Sequence, residues 1–314
     1  MDRFREMEHF VAVVEAGSFV GAAEVLRLSK AAVSRSVIEL EARLGARLMQ
    51  RTTRRLSLTE AGQAYFARCK QILADLDEAD SAVGAVTGHP VGRLRINAPF
   101  SFGILHLAPL WGPFMNRYPD VELEITLADR LVDVIDEGYD AVIRISQMQD
   151  SSLVFRRLAT TRILLCASPP YLARRGTPAR LEDLAAHSVI AYSYRAHGDT
   201  WQFTTDEGER EIVTRPQIRT NNGDTCRAIA LAHQGLVLQP DFLISDDLAS
   251  GRLVEVLPEC RGPELGIYAV YPSRKHLSVK VRALVDFLVE AFVAPAWKRP
   301  AHAGQSTSDR PSPG

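Results

Sequence analysis

Apolar residues recur at helical spacing from the first residues of the chain. Met7, Phe10, Val11 and Val14 lie three or four positions apart, which predicts one apolar stripe on a first helix. Gly17 follows this stripe and is a typical helix terminator, so we expect the first helix to end there.

Two further helices are predicted directly after the first. Ser18 is a suitable N-cap for a second helix, whose apolar face carries Ala22, Ala23 and Leu26. After a turn at Leu28, Ser29 is a suitable N-cap for a third helix that runs from Lys30 to Gly45. A helix, a tight turn and a second helix form the skeleton of a DNA-binding helix-turn-helix.

The third helix has two different faces. One is apolar and is expected to lie in the core: Val33, Val37, Leu40 and Leu44. The other is slim enough to enter a major groove and presents Ala31, Ser34, Arg35, Ile38 and Ala42. The candidate DNA-binding residues at this helix are Ser29, Lys30, Ala31, Ser34, Arg35 and Ile38.

A short basic segment follows the third helix, at residues 50–55 between Leu48 and Leu56. Arginines and threonines on a small hairpin suit contacts to phosphates or to the minor groove, as in the wing of a winged helix. The candidates in this segment are Arg51, Thr52, Thr53 and Arg54.

A long helix is predicted from Thr59 to about Val86, a stretch without proline. Steps of three and four residues join Phe66, Cys69, Leu73, Leu76, Asp80 and Val83. Such a seam indicates pairing with a second copy of the helix, although packing of the helix on its own domain is the alternative. We expect Phe66, Leu73 and Leu76 to contribute most to oligomerisation. Gly88, Pro90 and Gly92 end the helix and mark a hinge.

The remainder of the chain alternates strand and helix patterns, which is typical of α/β units with mainly parallel sheets. The predicted strands are 94–97, 121–127, 141–145, 163–167, 189–192 and 236–239. The predicted helices are 105–117, 131–137, 225–233, 243–249 and 278–292. About 200 residues suffice for two lobes, and a cleft at their strand ends would suit a small ligand.

Charge is distributed unevenly, although the net charge of the whole chain is only −1. The segment from Arg27 to Arg55 has eight basic and two acidic residues, hence a net charge of +6, and the rest carries −7. This division is typical of a nucleic-acid-binding head on an acidic body, but a solvated basic face would also produce it.

The first sixty residues resemble the LysR-type transcriptional regulators in order and spacing. The resemblance includes Gly17-Ser18-Phe19, Ala32-Val33-Ser34-Arg35, Leu44-Gly45, Arg51-Thr52-Thr53-Arg54 and Ala61-Gly62. Departures are Lys30, Ile38, Glu39 and Met49, which affect the expected DNA preference rather than the fold. The remainder of the chain, called the body below, resembles the CrgA-like subgroup of the same family. The resemblance lies at Ala98-Pro99-Phe100-Ser101-Phe102-Gly103, His106-Leu107-Ala108-Pro109 and Glu137-Gly138-Tyr139-Asp140.

The resemblance implies an α/β protein with an N-terminal winged helix-turn-helix, a linker helix and a periplasmic-binding-protein-like effector domain of two lobes. We expect the DNA-binding domain at residues 1–58, the linker helix and hinge at 59–90, the effector domain at 91–295 and a disordered tail at 296–314. Lobe I would take about 91–161 and 265–295, and lobe II about 162–264. A homodimer or homotetramer is implied.

Candidate effector-binding residues lie at predicted strand ends. Ser101 follows the first strand of the body, with Phe100 and Phe102 beside it, and the alternative for Ser101 is a plain helix cap. Ile145 and Ser146 end another strand. Asn221 and Asn222 precede a helix, where they supply amide groups or serve only as caps. We expect a small anionic or polar effector, such as a carboxylate or aromatic metabolite.

Several other functions have little support. The four cysteines form no C-x-x-C pair, and Cys226 at a helix start is a weak candidate for redox sensing. No metal site, cofactor or catalytic motif is predicted, and the chain is not expected to be an enzyme. The charged N-terminus and the lack of long apolar stretches favour a cytoplasmic protein without membrane contact.

The leading hypothesis is therefore a transcription regulator that binds double-stranded operator DNA and responds to an effector, with RNA polymerase as a further candidate partner. The alternative is a solute-binding or enzymatic α/β protein with an N-terminal interaction module.

Overall fold

The computed structural model describes residues 2–51, 56–87, 89–135, 137–147, 154–195, 198–272 and 277–298. Three helices open the chain: α1 (Arg3–Glu15), α2 (Phe19–Leu26) and α3 (Lys30–Leu44). The predicted caps are confirmed, because Ser18 and Ser29 each accept a backbone N–H of the helix that follows. Gly45 adopts the left-handed conformation that ends α3.

The core of this N-terminal head is built around Phe10, Val13, Val33, Val37 and Leu40, none of which is exposed. Leu44 was predicted to belong to it, but 37% of its surface is exposed because it lies in the last turn of α3.

A small hairpin follows α3 and confirms the predicted wing. Its strands, β1 (Met49–Arg51) and β2 (Leu56–Leu58), pair antiparallel, with Met49 opposite Leu58. Residues 52–55 at the tip lie outside the described residues. The carboxylate of Glu41 accepts the backbone N–H groups of Leu48 and Met49, which fixes the hairpin to α3.

The long helix α4 spans Glu60–Thr87 and begins against the hairpin. A Cβ atom at Gly62 would lie 1.9 Å from the carbonyl oxygen of Leu48, so only glycine permits this close approach. Cys69 is fully buried in the core of the head, and the ring of Phe66 packs edge-on against Phe10.

The predicted seam therefore needs a correction at its N-terminal end. Phe66 and Cys69 pack on their own domain, because α1 lies directly against α4. Leu73 and Leu76 are half-buried, whereas Asp80 and Val83 lie where side chains are not described.

Lobe I of the body is a sheet whose first three strands are parallel: β3 (Gly92–Ala98), β4 (Val121–Leu127) and β5 (Ala141–Ser146). Between β3 and β4, the chain forms a short helix α5 (Phe100–Phe102), a π-helical segment (Gly103–Leu107) and α6 (Ala108–Arg117). The C-terminal helix α10 (Val279–Ala291) belongs to the same lobe and packs against β3, α6 and α4.

Two long strands join the lobes. Strand β6 (Val154–Ala167) pairs antiparallel with β13 (Glu264–Tyr271) through Arg162 and then continues into the sheet of lobe II. Because β6 pairs in both lobes, the two lobes share one continuous sheet, in which β6 is followed by β13, β5, β3 and β4.

Lobe II contains the elements that lie between β6 and β13 in the sequence. Its strands are β7 (Val189–Tyr192), β8 (Thr200–Thr205), β9 (Gly208–Val213), β10 (Ile218–Thr220), β11 (Leu236–Pro240) and β12 (Val254–Glu255). Its helices are α7 (Pro169–Arg175), a 3-10 turn (Leu181–Ala186), α8 (Gly223–Leu231) and α9 (Asp241–Ala249). Strands β7, β10 and β11 are parallel, and β8 and β9 form a separate hairpin.

Most predicted elements of the body are present, but one helix is wrong. Residues 131–133 have no regular secondary structure, and 134, 135 and 137 lie in turns. The side chain of Asp133 accepts the N–H of Ile135, and Glu137 accepts the N–H of Asp133, so side chains take backbone donors that a helix would use. The mainly parallel sheet is also interrupted by the antiparallel strands β6 and β13.

The main apolar core is continuous between the lobes, since it includes Phe102 and Ile267 from lobe I and Val237 and Phe242 from lobe II. The indole of Trp297 is buried in the same core, and its N–H donates to the carbonyl of Thr160 at 3.3 Å. The disordered tail was therefore predicted to begin too early, because Ala296–Lys298 form an ordered turn. Residues 299–314 lie outside the described residues.

No helix in the described ranges is long and apolar enough to cross a membrane.

Candidate nucleic-acid interface and interlobe cleft

The N-terminal end of α3 is an exposed surface. Lys30, Ala31 and Arg35 are exposed, Ser34 is half-buried between them and the core, and Ile38 is 48% exposed one turn later. The hydroxyl oxygen of Ser29 accepts the N–H of Ala32, so this serine caps the helix and also lies at its exposed end. Side chains of this kind can reach base edges and phosphates of a duplex.

The basic residues of the head are not equally available. Arg43 donates two hydrogen bonds to one carboxylate oxygen of Glu6, at 2.9 and 2.7 Å, and this bond is the main cause of its raised pKa. Among the residues that the structure describes, no carboxylate pairs with Lys30 or Arg35. The cations at the start of α3 are thus left for an external anion, whereas Arg43 supports the fold.

The wing candidates are only partly described. Arg51 ends β1, on the hairpin that follows α3. Thr52, Thr53 and Arg54 lie outside the described residues.

The two lobes meet through a direct hydrogen bond at the C-terminal ends of their strands. Ser101, in α5 after β3, donates from Oγ to Oδ2 of Asp224 at 2.5 Å. Asp224 lies in the first turn of α8, which follows β10. Ser101 is 6% exposed and therefore bridges the lobes from a buried position.

Polar groups of both lobes lie beside this bond. Asp129 follows β4, and its Oδ1 accepts the backbone N–H of Phe100 at 2.8 Å. The side chain of Asn222, in lobe II, lines the same cavity as this carboxylate. Burial raises the pKa of Asp129 above its ordinary value, and the negative charge of Asp224 adds to the increase.

A cavity of about 350 Å3 opens at this contact. Its lining comes from both lobes and consists of Phe100, Ala128, Asp129, Arg130, Tyr194, Asn221 and Asn222. Arg130 is already engaged, because its two terminal nitrogens bind the two carboxylate oxygens of Glu137 at 2.8 and 2.5 Å.

The predicted effector residues divide into three groups. Phe100, Asn221 and Asn222 line the cavity, and Ser101 forms the adjacent bridge. Phe102 does not face the cavity, because its ring is fully buried against Phe242 and Trp297.

Ile145 and Ser146 do not line this cavity either. Ile145 packs against the main core, and Ser146 lies opposite Gly266 of β13. The extension of β5 along β13 places both residues beyond the end of β3.

Sequence reasoning missed the acidic groups of the cleft. Asp129 comes two residues after a correctly predicted strand, so the rule that ligands bind at strand ends could have found it. Asp224 belongs to the same strand-to-helix segment as Asn221 and Asn222, so the same rule applies to it. Tyr194 had no comparable signal, because its position depends on how lobe II folds back on lobe I.

Cys226 does not have the environment of a redox sensor. The residue is fully buried, and burial raises the pKa of its thiol to about 11, so the reactive thiolate is disfavoured. Within the described ranges, no group of three potential ligands could hold a metal ion.

The head, α4 and lobe I meet at one polar junction. Lys70 of α4 donates to the carbonyl oxygen of Glu137 at 2.6 Å and lies 3.3 Å from the carboxylate of Glu15, in α1. Arg95 of β3 reaches the same carboxylate at 3.8 Å. Gly138 has a φ of +69°, and a Cβ atom there would lie 2.7 Å from Cε of Lys70.

Comparisons with known proteins agree with this architecture. Residues 4–63 match the family described as "Bacterial regulatory helix-turn-helix protein, lysR family", and residues 87–293 match the "LysR substrate binding domain". The regulator CrgA of Neisseria meningitidis serogroup C is 36% identical over 286 residues, which cover 91% of this chain and 95% of CrgA.

Two solved structures of full-length regulators are also similar to this chain. The structure of CrgA from Neisseria meningitidis has a TM-score of 0.60 at 35% identity, with 93% of this chain and all of that chain covered. Full-length AphB, a virulence activator of Vibrio cholerae, has a TM-score of 0.62 at 28% identity and covers 93% of this chain and all of its own.

Proposed function

Because this chain belongs to the LysR family and is a DNA-binding transcription regulator of the CrgA-like type with an effector-binding domain, we propose that α3 and the wing read its operator. The observation that carries this proposal is the exposed N-terminal end of α3, where Lys30 and Arg35 lack acidic partners among the described residues. Cations of this kind attract the phosphates of a duplex from a distance.

The contacts divide into two classes. Ser34 and Arg35 make base or near-base contacts, because they lie on the face of α3 that can enter the major groove. Ser29, Lys30, Ala31 and Ile38 lie around them and fit the helix to the groove. Contacts of the wing to the DNA backbone come from Arg51, Thr52, Thr53 and Arg54.

The regulator acts as a homodimer or homotetramer, with contacts between α4 helices. Leu73 and Leu76 support this part of the proposal, because they lie beyond the section of α4 that packs on the head and are only half-buried. A dimer presents two α3 helices and so requires an operator of two inverted half-sites, spaced by whole turns of the duplex.

The cleft between the lobes holds the effector, with Phe100, Ser101, Asn221 and Asn222 around it. The cavity at this position and the interlobe bond between Ser101 and Asp224 beside it support this placement. The effector can regulate DNA binding only if its affinity differs between two arrangements of the heads. The protein has no catalytic role in this proposal and acts in the cytoplasm, where operator DNA and RNA polymerase are accessible.

A gel-shift titration tests the DNA-binding surface. Arg35→Ala is expected to weaken specific binding by about 1–3 kcal/mol and to relax sequence preference, as for loss of an arginine that reads a guanine. Arg282→Ala is the matched control, because Arg282 is an exposed arginine of α10 in the body. If Arg35→Ala and the control both leave the affinities for operator and random duplexes unchanged, α3 does not recognise the DNA sequence.

A further inference from the structure

The charges in the interlobe cleft have the opposite sign to those of the DNA-binding surface. Asp129 and Asp224 come from different lobes and are close enough for the charge of Asp224 to affect Asp129. Among the described residues, no Lys, Arg or His forms an ion pair with either carboxylate. Asp129 thus lines the cavity with Asp224 nearby, and neither carboxylate has an ion-pair partner among the described residues.

Two basic side chains near the cleft are occupied elsewhere. Arg130 lines the cavity but is held by both carboxylate oxygens of Glu137. Arg227 lies one turn after Asp224 in α8, and its Nε and Nη2 bind the fully buried carboxylate of Asp247. Recruiting either arginine for an anionic ligand would require the loss of an existing ion pair.

Aromatic rings at the cavity give an independent indication of the ligand. Phe100 and Tyr194 both line it and are 41% and 48% exposed. The ring of Tyr192 packs edge-on against Tyr194, and Tyr192 is close enough to Asp129 for its pKa to be raised by that charge in addition to burial. Exposed aromatic faces beside a carboxylate are suited to an organic cation, because the ring face carries a negative potential.

We infer that the cleft takes a small organic cation, such as a protonated amine, with its positive charge beside Asp129 and its carbon skeleton against Phe100 and Tyr194. This inference rests on the proposed effector role of the cleft and reverses the charge that the sequence suggested. Asn221 and Asn222 add hydrogen-bonding groups at the rim. A metal ion fits less well, since no group of three potential ligands occurs among the described residues.

Probes that share a carbon skeleton and carry a cationic, a neutral or an anionic polar group test the inference with the full-length protein. The first set is phenethylamine, 2-phenylethanol and phenylacetate, and the second is butylamine, butanol and butyrate. Thermal-shift titrations should rank the amine above the alcohol and the alcohol above the acid in both sets. We expect the affinity for the amine to exceed that for the acid by about tenfold or more.

Variants locate the charge that is responsible. Asp129→Asn keeps an oxygen that can accept the N–H of Phe100, and it should weaken amine binding by about tenfold and remove the preference over the alcohol. Asp224→Asn should weaken amine binding to a smaller degree. The control is Asp206→Asn, which removes the same charge from an exposed turn after β8 and should leave binding unchanged.

Three results would overturn the inference. They are an acid that binds as well as the matched amine, amine binding that is unchanged in Asp129→Asn, and no stabilisation by any amine. Gel shifts on the same samples keep the two proposals separate. Normal operator binding with any of these results rejects the cationic ligand alone, whereas loss of operator binding in the wild type rejects the proposed function.

Discussion

The DNA-binding surface and the interlobe cleft differ in how firmly their charged groups are fixed by hydrogen bonds. At the start of α3, Lys30 and Arg35 are exposed at the ends of long side chains. In the cleft, the carboxylate of Asp129 is fixed by the N–H of Phe100, and that of Asp224 by the hydroxyl of Ser101.

This difference indicates what each surface can distinguish. Mobile exposed cations attract a polyanion over a long distance, and their contribution depends strongly on salt. Short fixed hydrogen bonds place a charge at a defined position, which allows a site to select among small molecules of similar size. One chain therefore combines a salt-sensitive surface for a large ligand with an oriented site for a small one.

The largest expected effect concerns salt. Raising the salt concentration from about 50 to about 200 mM should lower operator affinity about a thousandfold if the heads make about six phosphate contacts. Binding of phenethylamine in the cleft should change by less than about tenfold, because only one charge is involved. Gel shifts and thermal-shift titrations at matched salt concentrations measure both effects. Equal salt dependence of the two affinities would contradict the distinction.

The next effect concerns assembly. Leu73→Asp introduces a charge into the proposed α4 contact and should lower operator affinity about a hundredfold, because the two heads are no longer linked. Binding in the cleft of each protomer should remain unchanged. Sedimentation velocity and gel shifts measure the two properties together. The control is Ala64→Asp, which places the same charge at an exposed position on the other side of α4. A Leu73→Asp protein of wild-type mass with normal DNA binding would exclude this contact.

A smaller effect is expected from the bond between the lobes. Ser101→Ala removes the donor to Asp224 and should destabilise the body by about 1 kcal/mol, the usual contribution of one hydrogen bond. Operator affinity without a probe should stay close to that of the wild type. Thermal unfolding at neutral pH measures the loss. Ser193→Ala, at an exposed serine of lobe II, should have no such effect, and equal behaviour of the two variants would show that the bridge does not contribute.

The smallest effect is a dependence of stability on pH. The pKa of Asp129 is raised in the folded state, so stability should fall as pH rises from 3.8 through the folded pKa, and Asp129→Asn should remove this decrease. Glu137 behaves oppositely, because its bond to Arg130 lowers its pKa. The stability from that bond should be lost as pH falls through the folded pKa of Glu137, and Glu137→Gln should remove this loss. Melting temperatures of both variants across the acidic range test the two signs.

The head could be predicted almost residue by residue, and the reason is local. Ser18, Ser29 and Gly45 set the ends of their helices through bonds to residues three or four positions away, and the periodic apolar residues share one small core. Leu44 was misplaced because the end of a helix is exposed even when the periodicity continues.

The cleft was predicted only in part because its groups come together over long sequence distances. Ser101 and Asp224 are 123 positions apart in the sequence. The two residues come together only after the chain has passed between the lobes along β6 and β13. Asn222 and Phe100 were found because each borders a predicted element. The proximity of Asp129 to lobe II has no signature in its neighbouring residues.

The interlobe bond of Ser101 also has a consequence for the rate of ligand entry. A molecule that engages Asp224 competes with the hydroxyl of Ser101 for the same carboxylate. For such a molecule we expect loss of the Ser101–Asp224 bond to precede binding, so the observed rate should reach a plateau at high ligand concentration. The response time of the regulator would be determined by this short contact rather than by diffusion of the ligand.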